Sequence, residues 1–271
     1  MDLRQLEARA DAVRTVERVV KAVWALARAQ MPLADRAAAE SVAHVDALDR
    51  VLARLAGAPR TTPHAPGGAD ALTVVIGPEH ALTGGLAERV RRALPPEGAL
   101  GVVGQRLHDL IVDGPEAARV RFHVPAPSSV PGLEASARLL AEAIVDARAR
   151  MTPDVEVVIV HPMAGADVMA RSVLLSGARE PVGAPPETLS PLADVIAEVA
   201  AQALTARLAA ALAESLRAEL RARLAAAGQA KQAAGDKLEE IDRLLRSARQ
   251  GDVTREVTEL AAARLAVDDL G

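Results

Sequence analysis

The chain has 271 residues, half of them apolar, and a formal net charge of −4 at pH 7. These values fit a soluble protein of one or two domains with a sizeable core. Cysteine is absent and Trp24 and Phe122 are the only aromatic residues, which excludes disulfides and thiolate sites and leaves Ala, Val, Leu and Ile to build the core. Basic and acidic residues are mixed throughout, so no nucleic-acid partner is expected.

Residues 1–57 read as an N-terminal helix. Apolar residues recur there at three- and four-residue steps, the spacing of one helical face; they are Leu3, Leu6, Ala10, Val13, Val16, Val20, Val23 and Ala27. We expect Asp2 to cap this helix and Pro32 to break or kink it near Met31. Residues 57–68, rich in proline and glycine, form the predicted linker that follows.

Residues 70–190 change period and read as an α/β domain. Short β-branched runs bounded by Gly, Pro or Asp predict strands, at Leu72–Ile76, Leu100–Val103, Val120–Val124, Val155–Val160 and Val168–Leu175. Helical patterns at Leu82–Leu94 and Leu133–Arg150 separate some of them. Strands alternating with helices predict a small, substantially parallel sheet. The four prolines within 181–191 indicate a second linker.

A C-terminal helix is predicted over 192–270, where no proline occurs. At 1.5 Å per residue it would be roughly 110 Å long. Leucines recur there every four residues, so the apolar stripe winds around the helix and needs partners on more than one side; they are Leu204, Leu208, Leu212, Leu216, Leu220 and Leu224. The predicted fold class is therefore α/β with long helices, an antiparallel coiled coil of the N- and C-terminal helices with an inserted, Rossmann-like α/β domain.

Three segments resemble the gamma subunit of F-type ATP synthases, the central rotor shaft, and they fall in the family's order. Residues 249–260, RQGDVTREVTEL, resemble the family pattern Arg-Gln-x-x-Ile-Thr-x-Glu-Ile/Leu-x-Glu-Ile. Residues 19–27, VVKAVWALA, resemble Ile-Thr-Lys-Ala-Met-x-x-Val-Ala, and the strand and turn at 74–86 resemble Ser-Asp-(Arg/Gln)-Gly-Leu-Cys-Gly-Gly-Leu-Asn. Gly77, Pro78 and Thr83 depart from that last pattern, so the chain resembles a divergent member. Pro131-Gly132 and the region of His161 resemble the alternative N-type branch.

The resemblance implies a central stalk that couples proton or sodium translocation to ATP synthesis or hydrolysis without catalysis of its own. Its implied partners are the alpha and beta subunits of the catalytic hexamer, an epsilon-type subunit and the membrane c-ring. No cofactor and no direct small-molecule substrate are expected. The expected location is the cytoplasmic face of a bacterial inner membrane, where the chain would be peripheral, since Met1 is followed by charged residues rather than a signal peptide.

Matching positions in the resembling segments identify the candidate partner-binding residues, which are Arg249, Gln250, Thr254, Glu256 and Lys21. Arginine offers a bidentate fork to a carboxylate, which would suit a latch on a loop of the beta subunit. The alternative hypothesis is a standalone coiled-coil adaptor or scaffold protein with an α/β interaction domain. The segment 249–260 distinguishes the two, because an adaptor does not need that pattern.

Overall fold

The computed structural model describes residues 3–56, 71–151, 155–165, 169–175 and 187–268. Their helices and strands, in chain order, are α1 (Leu3–Ala56), β1 (Leu72–Ile76), α2 (Leu86–Arg92), β2 (Ala99–Val103), α3 (Gln105–Val112), β3 (Val120–Val124), α4 (Leu133–Ala149), β4 (Val157–Pro162), β5 (Met169–Leu175) and α5 (Leu192–Asp268). The predicted N-cap Asp2, the linker 57–68 and part of the second linker, 181–186, lie outside the described residues.

The chain divides into two compact units, and both terminal helices contribute to each of them. The first unit comprises Met1–Leu26 and Ala225–Gly271, and the second comprises Ala27–Leu224. Because this division cuts through α1 and α5, it does not test the domain boundaries at 1–57, 70–190 and 192–270, which stay a prediction.

The second unit contains a five-stranded sheet in the order β3-β2-β1-β4-β5. The pairs β1–β2, β1–β4 and β2–β3 are parallel, and only the hairpin partner β5 runs antiparallel to β4. This arrangement confirms the substantially parallel α/β sheet. All five strands lie close to their predicted positions, because each is a short β-branched run bounded by turn residues.

The two faces of the sheet bury different sets of residues. On one face, Val75, Leu100 and Val102 pack with residues of α2 and α3. On the other, Leu72, Val74 and Ile76 pack with α4 and with the terminal helices. Helix α3 is an element that the sequence analysis does not predict. It is eight residues long and buries only Leu107 and Ile111, one helical turn apart, so its periodic signal is short.

The four-residue leucine row of α5 is buried in the second unit between α1 and the sheet. Leu208 and Leu212 are fully buried, and they share one apolar cluster with Ala34 of α1 and Leu72 of β1. The row therefore meets partners on more than one side, as its winding predicts. Helix α5 also has the length and hydropathy of a membrane span, and the buried leucine row contributes to that hydropathy.

Helix α1 continues through Pro32 without a break, which corrects the expected interruption near Met31. Proline in a helix interior costs roughly 3 kcal/mol because it removes a backbone hydrogen bond and crowds the preceding turn. Ala34 and Ala38 on the following turns are buried in the core, and Met31 packs against it. We infer that this packing offsets the local cost, as tertiary contacts often override propensity.

The turn before α2 explains why this helix starts at Leu86 rather than at the predicted Leu82. Leu82, Gly84 and Gly85 all have positive φ, at 63°, 54° and 75°. Right-handed helix is excluded at such angles, and glycine adopts them without steric cost. The two glycines therefore permit a tight strand-to-helix turn.

Replacing the interior glycines of α5 is expected to stabilise the protein. A methyl group at Gly228 or Gly235 would meet no atom within 4 Å, and glycine costs roughly 1 kcal/mol relative to alanine in a helix. Gly228→Ala and Gly235→Ala should each raise the free energy of unfolding by up to about that amount, measured by urea denaturation. Gly101→Ala is the matched control and should destabilise, because its methyl group would overlap the ring of Phe122.

The stability of the second unit is expected to fall as the pH drops through 6.5. Burial lowers the pKa of His161 below its usual 6.5, although the carbonyl of Pro162 and the carboxylate of Glu214 oppose the shift. The unfolded chain therefore binds more protons than the folded one below that pH, and folding weakens. His161→Gln should flatten the pH dependence of the urea midpoint between pH 7.5 and 5.5. Equal slopes for both proteins would contradict this assignment. The pKa of His123 is lowered as well, chiefly by burial, so part of the slope should remain.

Candidate partner-binding site

The predicted site lies at the end of α5, beyond the last buried residues of the first unit. There Ile241 and Leu245 pack against Leu6 and Ala10 of α1 in one apolar cluster. Ion pairs show that the two helices run antiparallel, since Arg249 contacts Glu7 at 3.1 Å and Asp242 lies 3.8 Å from Arg14. From Arg249 to Ala261, every side chain is exposed.

The coiled-coil pairing is confirmed in this unit, but one residue of the predicted α1 stripe does not take part. Val16 is 55% exposed, whereas Val20 is buried and Val13 and Val23 are partly buried. Successive steps of three and four residues place Val16 at the margin of the stripe, because 3.6 residues complete a turn.

The four C-terminal candidates form two neighbouring strips on the exposed helix. Arg249 and Glu256 lie seven residues apart on one strip, and Gln250 and Thr254 lie one turn apart on the next. The Thr254 hydroxyl donates to the Gln250 carbonyl at 2.8 Å, so that hydrogen bond stays within the helix. The Arg249 guanidinium donates to Glu7 at the surface. All four side chains are therefore presented to solvent from a rigid helix.

Lys21 is not brought to the same place. It is exposed on α1 and forms an ion pair with Glu17 at 2.7 Å. Residue 21 lies 14 positions after Glu7, the residue that contacts Arg249, which corresponds to about 21 Å along the helix. Near Lys21, the ammonium of Lys231 lies 5.5 Å from the ring centre of Trp24, a cation–π distance. The five candidates thus form one group of four and one separate lysine.

An exposed apolar row accompanies the polar candidates. Val253, Val257 and Leu260 are 59–67% exposed on the same stretch of α5. Their spacing of four and three residues puts them on one face. Their recurrence at helical spacing was the signal that the sequence offered for such a surface. The periodicity alone does not indicate that α1 leaves this face uncovered.

Across residues 3–56, 71–151, 155–165, 169–175 and 187–268, no group of three His, Asp or Glu side chains is placed to hold a metal ion. The exposed helix end offers an arginine fork, amide and hydroxyl groups, and an apolar strip. Such a combination suits binding to another protein, with polar groups fixing the register and apolar groups burying area.

Comparison with known proteins identifies the family. Residues 2–267 match the family model described as ATP synthase. The fold is similar to the rotor of the Euglena gracilis mitochondrial ATP synthase, with a TM-score of 0.61 and 12% identity over 93% of this chain and 98% of that chain. It is also similar to the central stalk and c-ring structure of the Tetrahymena thermophila mitochondrial ATP synthase, with a TM-score of 0.55 and 13% identity over 78% of this chain and 99% of that chain. No curated protein matches the sequence.

The chain therefore belongs to the ATP synthase family, as a gamma-type subunit of the central stalk. The match spans both terminal helices and the α/β domain, so it includes the segments that carry the resemblance. Family membership favours the rotor subunit over a standalone adaptor and places the protein in a membrane-associated complex. Because the two solved structures are 12% and 13% identical to this chain, they support the fold alone.

Removing the Arg249 side chain is expected to leave the subunit folded. Its ion pair with Glu7 is exposed on both sides, with 61% and 47% of the two side chains accessible, and such pairs contribute roughly 0–1 kcal/mol. The free energy of unfolding of Arg249→Ala should differ from that of the parent protein by less than about 1 kcal/mol in urea denaturation. Ile241→Ala is the comparison variant and should cost about 2–5 kcal/mol, because Ile241 is buried. A loss for Arg249→Ala as large as that would contradict a surface role.

Proposed function

We propose that this chain is a non-catalytic shaft whose terminal helices enter a hexamer of alpha and beta subunits. Ion flow through a membrane ring turns the shaft, and its rotation drives the nucleotide sites of the hexamer through different affinities. This is coupling between two distant sites through a rigid element that has no chemistry of its own. The proposal covers either direction of ATP turnover and either proton or sodium as the ion.

The exposed end of α5 is the observation that supports the proposal most directly. Val253, Val257 and Leu260 stay exposed in the first unit, although the same helix buries Ile241 and Leu245 against α1. An apolar row that no described residue covers indicates a surface for another protein. Apolar contact is non-directional, so such a row suits a shaft that turns against the surrounding subunits.

Specific contacts are assigned to the polar residues on this surface. Arg249, Gln250 and Thr254 would contact a loop of a beta subunit, with Arg249 exchanging its bond to Glu7 for a carboxylate of that loop. Because the Arg249–Glu7 pair is exposed, the exchange costs little, and a bidentate arginine–carboxylate pair adds a defined orientation. Glu256 would contribute a charge on the same strip. Lys21 would contact the lower rim of the ring by exchanging its pair with Glu17.

The α/β domain is assigned to the remaining partners, an epsilon-type subunit and the membrane c-ring. Its described surface exposes large apolar residues on separate elements. Among them are Val112 at the end of α3, Leu139 and Val145 of α4 and Met163 just after β4. These residues give the domain apolar surface for docking. The location that follows is the cytoplasmic face of a bacterial inner membrane, with the chain held there by its partners. Release of the chain from membranes together with alpha and beta subunits at low ionic strength would test this location.

Loss of the Arg249 or Gln250 side chain is expected to weaken coupling in the assembled complex. Arg249→Ala and Gln250→Ala should each lower ATP-driven ion pumping per ATP hydrolysed, because the loop of the beta subunit loses a directional contact with the shaft. The measurement is pumping by reconstituted vesicles against the ATPase rate of the same vesicles. We expect a several-fold reduction of this ratio in each variant.

Arg246→Ala provides a matched control for this experiment. Arg246 is also exposed on α5, less than one turn before Arg249, but it lies outside the resembling segment. Its removal changes the charge equally and should leave the pumping ratio unchanged. If all three variants keep the parent ratio, the assignment of the latch to Arg249 and Gln250 is wrong. If the complex pumps normally without this chain, the shaft function itself is wrong.

A further inference from the structure

A buried carboxylate of α5 holds the loop that follows β1. Glu219 is 3% exposed, and its two oxygens accept the backbone N–H groups of Glu79 at 3.1 Å and His80 at 3.2 Å. The Arg223 guanidinium, one turn away on the same helix, donates to it at 2.6 Å. Buried charges are costly unless they are paired and hydrogen-bonded, and Glu219 is both. The contact of this buried carboxylate with the loop is the feature to explain.

The loop held by Glu219 in turn connects the ends of three parallel strands. The carboxylate of Glu79 accepts the backbone N–H of Gln105, at the start of α3 after β2, at 3.0 Å, and that of Ala126, after β3, at 2.7 Å. In doubly wound folds this edge of the sheet is where ligands bind. Here the carboxylates of Glu219 and Glu79 accept the N–H groups at this edge. A force on Glu219 is therefore transmitted to the strand ends through hydrogen bonds between side chains and backbone amides.

A second carboxylate on α5 makes the same kind of contact with a different loop. Glu214 accepts the backbone N–H of Ala164, in the turn after β4, at 2.8 Å. Arg217 donates to Glu214 at 2.9 Å and lies 3.8 Å from Asp35 of α1. This second contact therefore includes both terminal helices within the second unit. Like the first, it consists of a glutamate, a backbone amide and an arginine on the same helix.

The contacts of Glu214 and Glu219 hold α5 from different sides. Glu214 and Glu219 are five residues apart, which corresponds to about 7.5 Å along the helix and about 140° around it. Two directional contacts so placed oppose rotation of the helix about its own axis, whereas apolar packing alone has no preferred direction. We propose that Glu219 and Glu214 are positioning residues that lock the α/β domain to α5, so that torque passes between them without slip. This rests on the proposed function.

Amide hydrogen exchange in the full-length subunit tests the contacts themselves. Glutamine keeps one accepting oxygen but loses the charge, so a backbone N–H bonds to it more weakly than to a carboxylate. It also cannot accept N–H groups at both terminal atoms, since its amide nitrogen is a donor. Glu219→Gln should speed exchange at Glu79 and His80 by about tenfold and leave Ala164 unchanged, and Glu214→Gln should do the reverse. Glu198→Gln, on the exposed face of α5, is the matched control and should change neither. Unchanged exchange in both test variants would overturn the proposal.

Pumping against an opposing gradient tests the mechanical role. The largest ion gradient that ATP hydrolysis can build should be smaller for Glu219→Gln and Glu214→Gln than for the parent, because slip grows with load. Pumping with the gradient collapsed should stay near the parent value, which a subunit with a general folding defect would not show. Equal maximal gradients for the parent, the control and both variants would overturn the proposal while leaving the shaft function intact. If Glu219→Gln does not assemble, Glu214→Gln and Glu219→Asp decide, because the aspartate keeps the charge and should retain part of the gradient.

Discussion

The structure depends on one packing constraint, the burial of the leucine row of α5 between α1 and the sheet. Leu208, Leu212 and Leu220 are almost completely buried in the second unit, and a fully buried leucine contributes roughly 1.5–3 kcal/mol. In the same apolar cluster α1 buries Ala27, Ala34 and Ala38, small side chains that let the two helices approach closely, and Met31 packs against that cluster. The position of the leucine row therefore helps to determine how α1 and the sheet meet α5.

Apolar packing supplies the energy of this arrangement, and buried carboxylates supply its direction. Glu219 and Glu214 each accept a backbone N–H from a loop at the edge of the sheet. Their arginine partners sit one turn away, so each charge is neutralised locally. The region at the strand ends, which in related architectures takes a ligand, is used here to attach a helix. A protein that transmits force between other subunits gains from such an attachment, because its task is to keep orientation under load.

The first unit shows a different use of the same helix. Ile241 and Leu245 close the pair with α1, and from Arg249 onward the side chains are left to solvent up to Ala261. The exposed end combines an apolar row with an arginine whose surface ion pair, to Glu7, is weak enough to exchange. Binding surfaces for other subunits need these two properties, since area provides affinity and directional groups provide register.

Local pattern was enough to locate the long helices, the strands and the turn before α2, because periodicity and turn chemistry are readable along the chain. A short motif nominated Arg249, Gln250, Thr254 and Glu256 as partner-binding residues, and that role stays a prediction. Three features depended on tertiary contacts. Pro32 stays within α1 because Ala34 and Ala38 are buried, α3 forms although its signal is only Leu107 and Ile111, and Val253, Val257 and Leu260 remain uncovered. Glu214 and Glu219 look like any helical glutamate in the sequence. Only the folded chain brings them to backbone amides of residues 79, 80 and 164, since hydrogen bonds over such separations are decided by how helix and sheet pack.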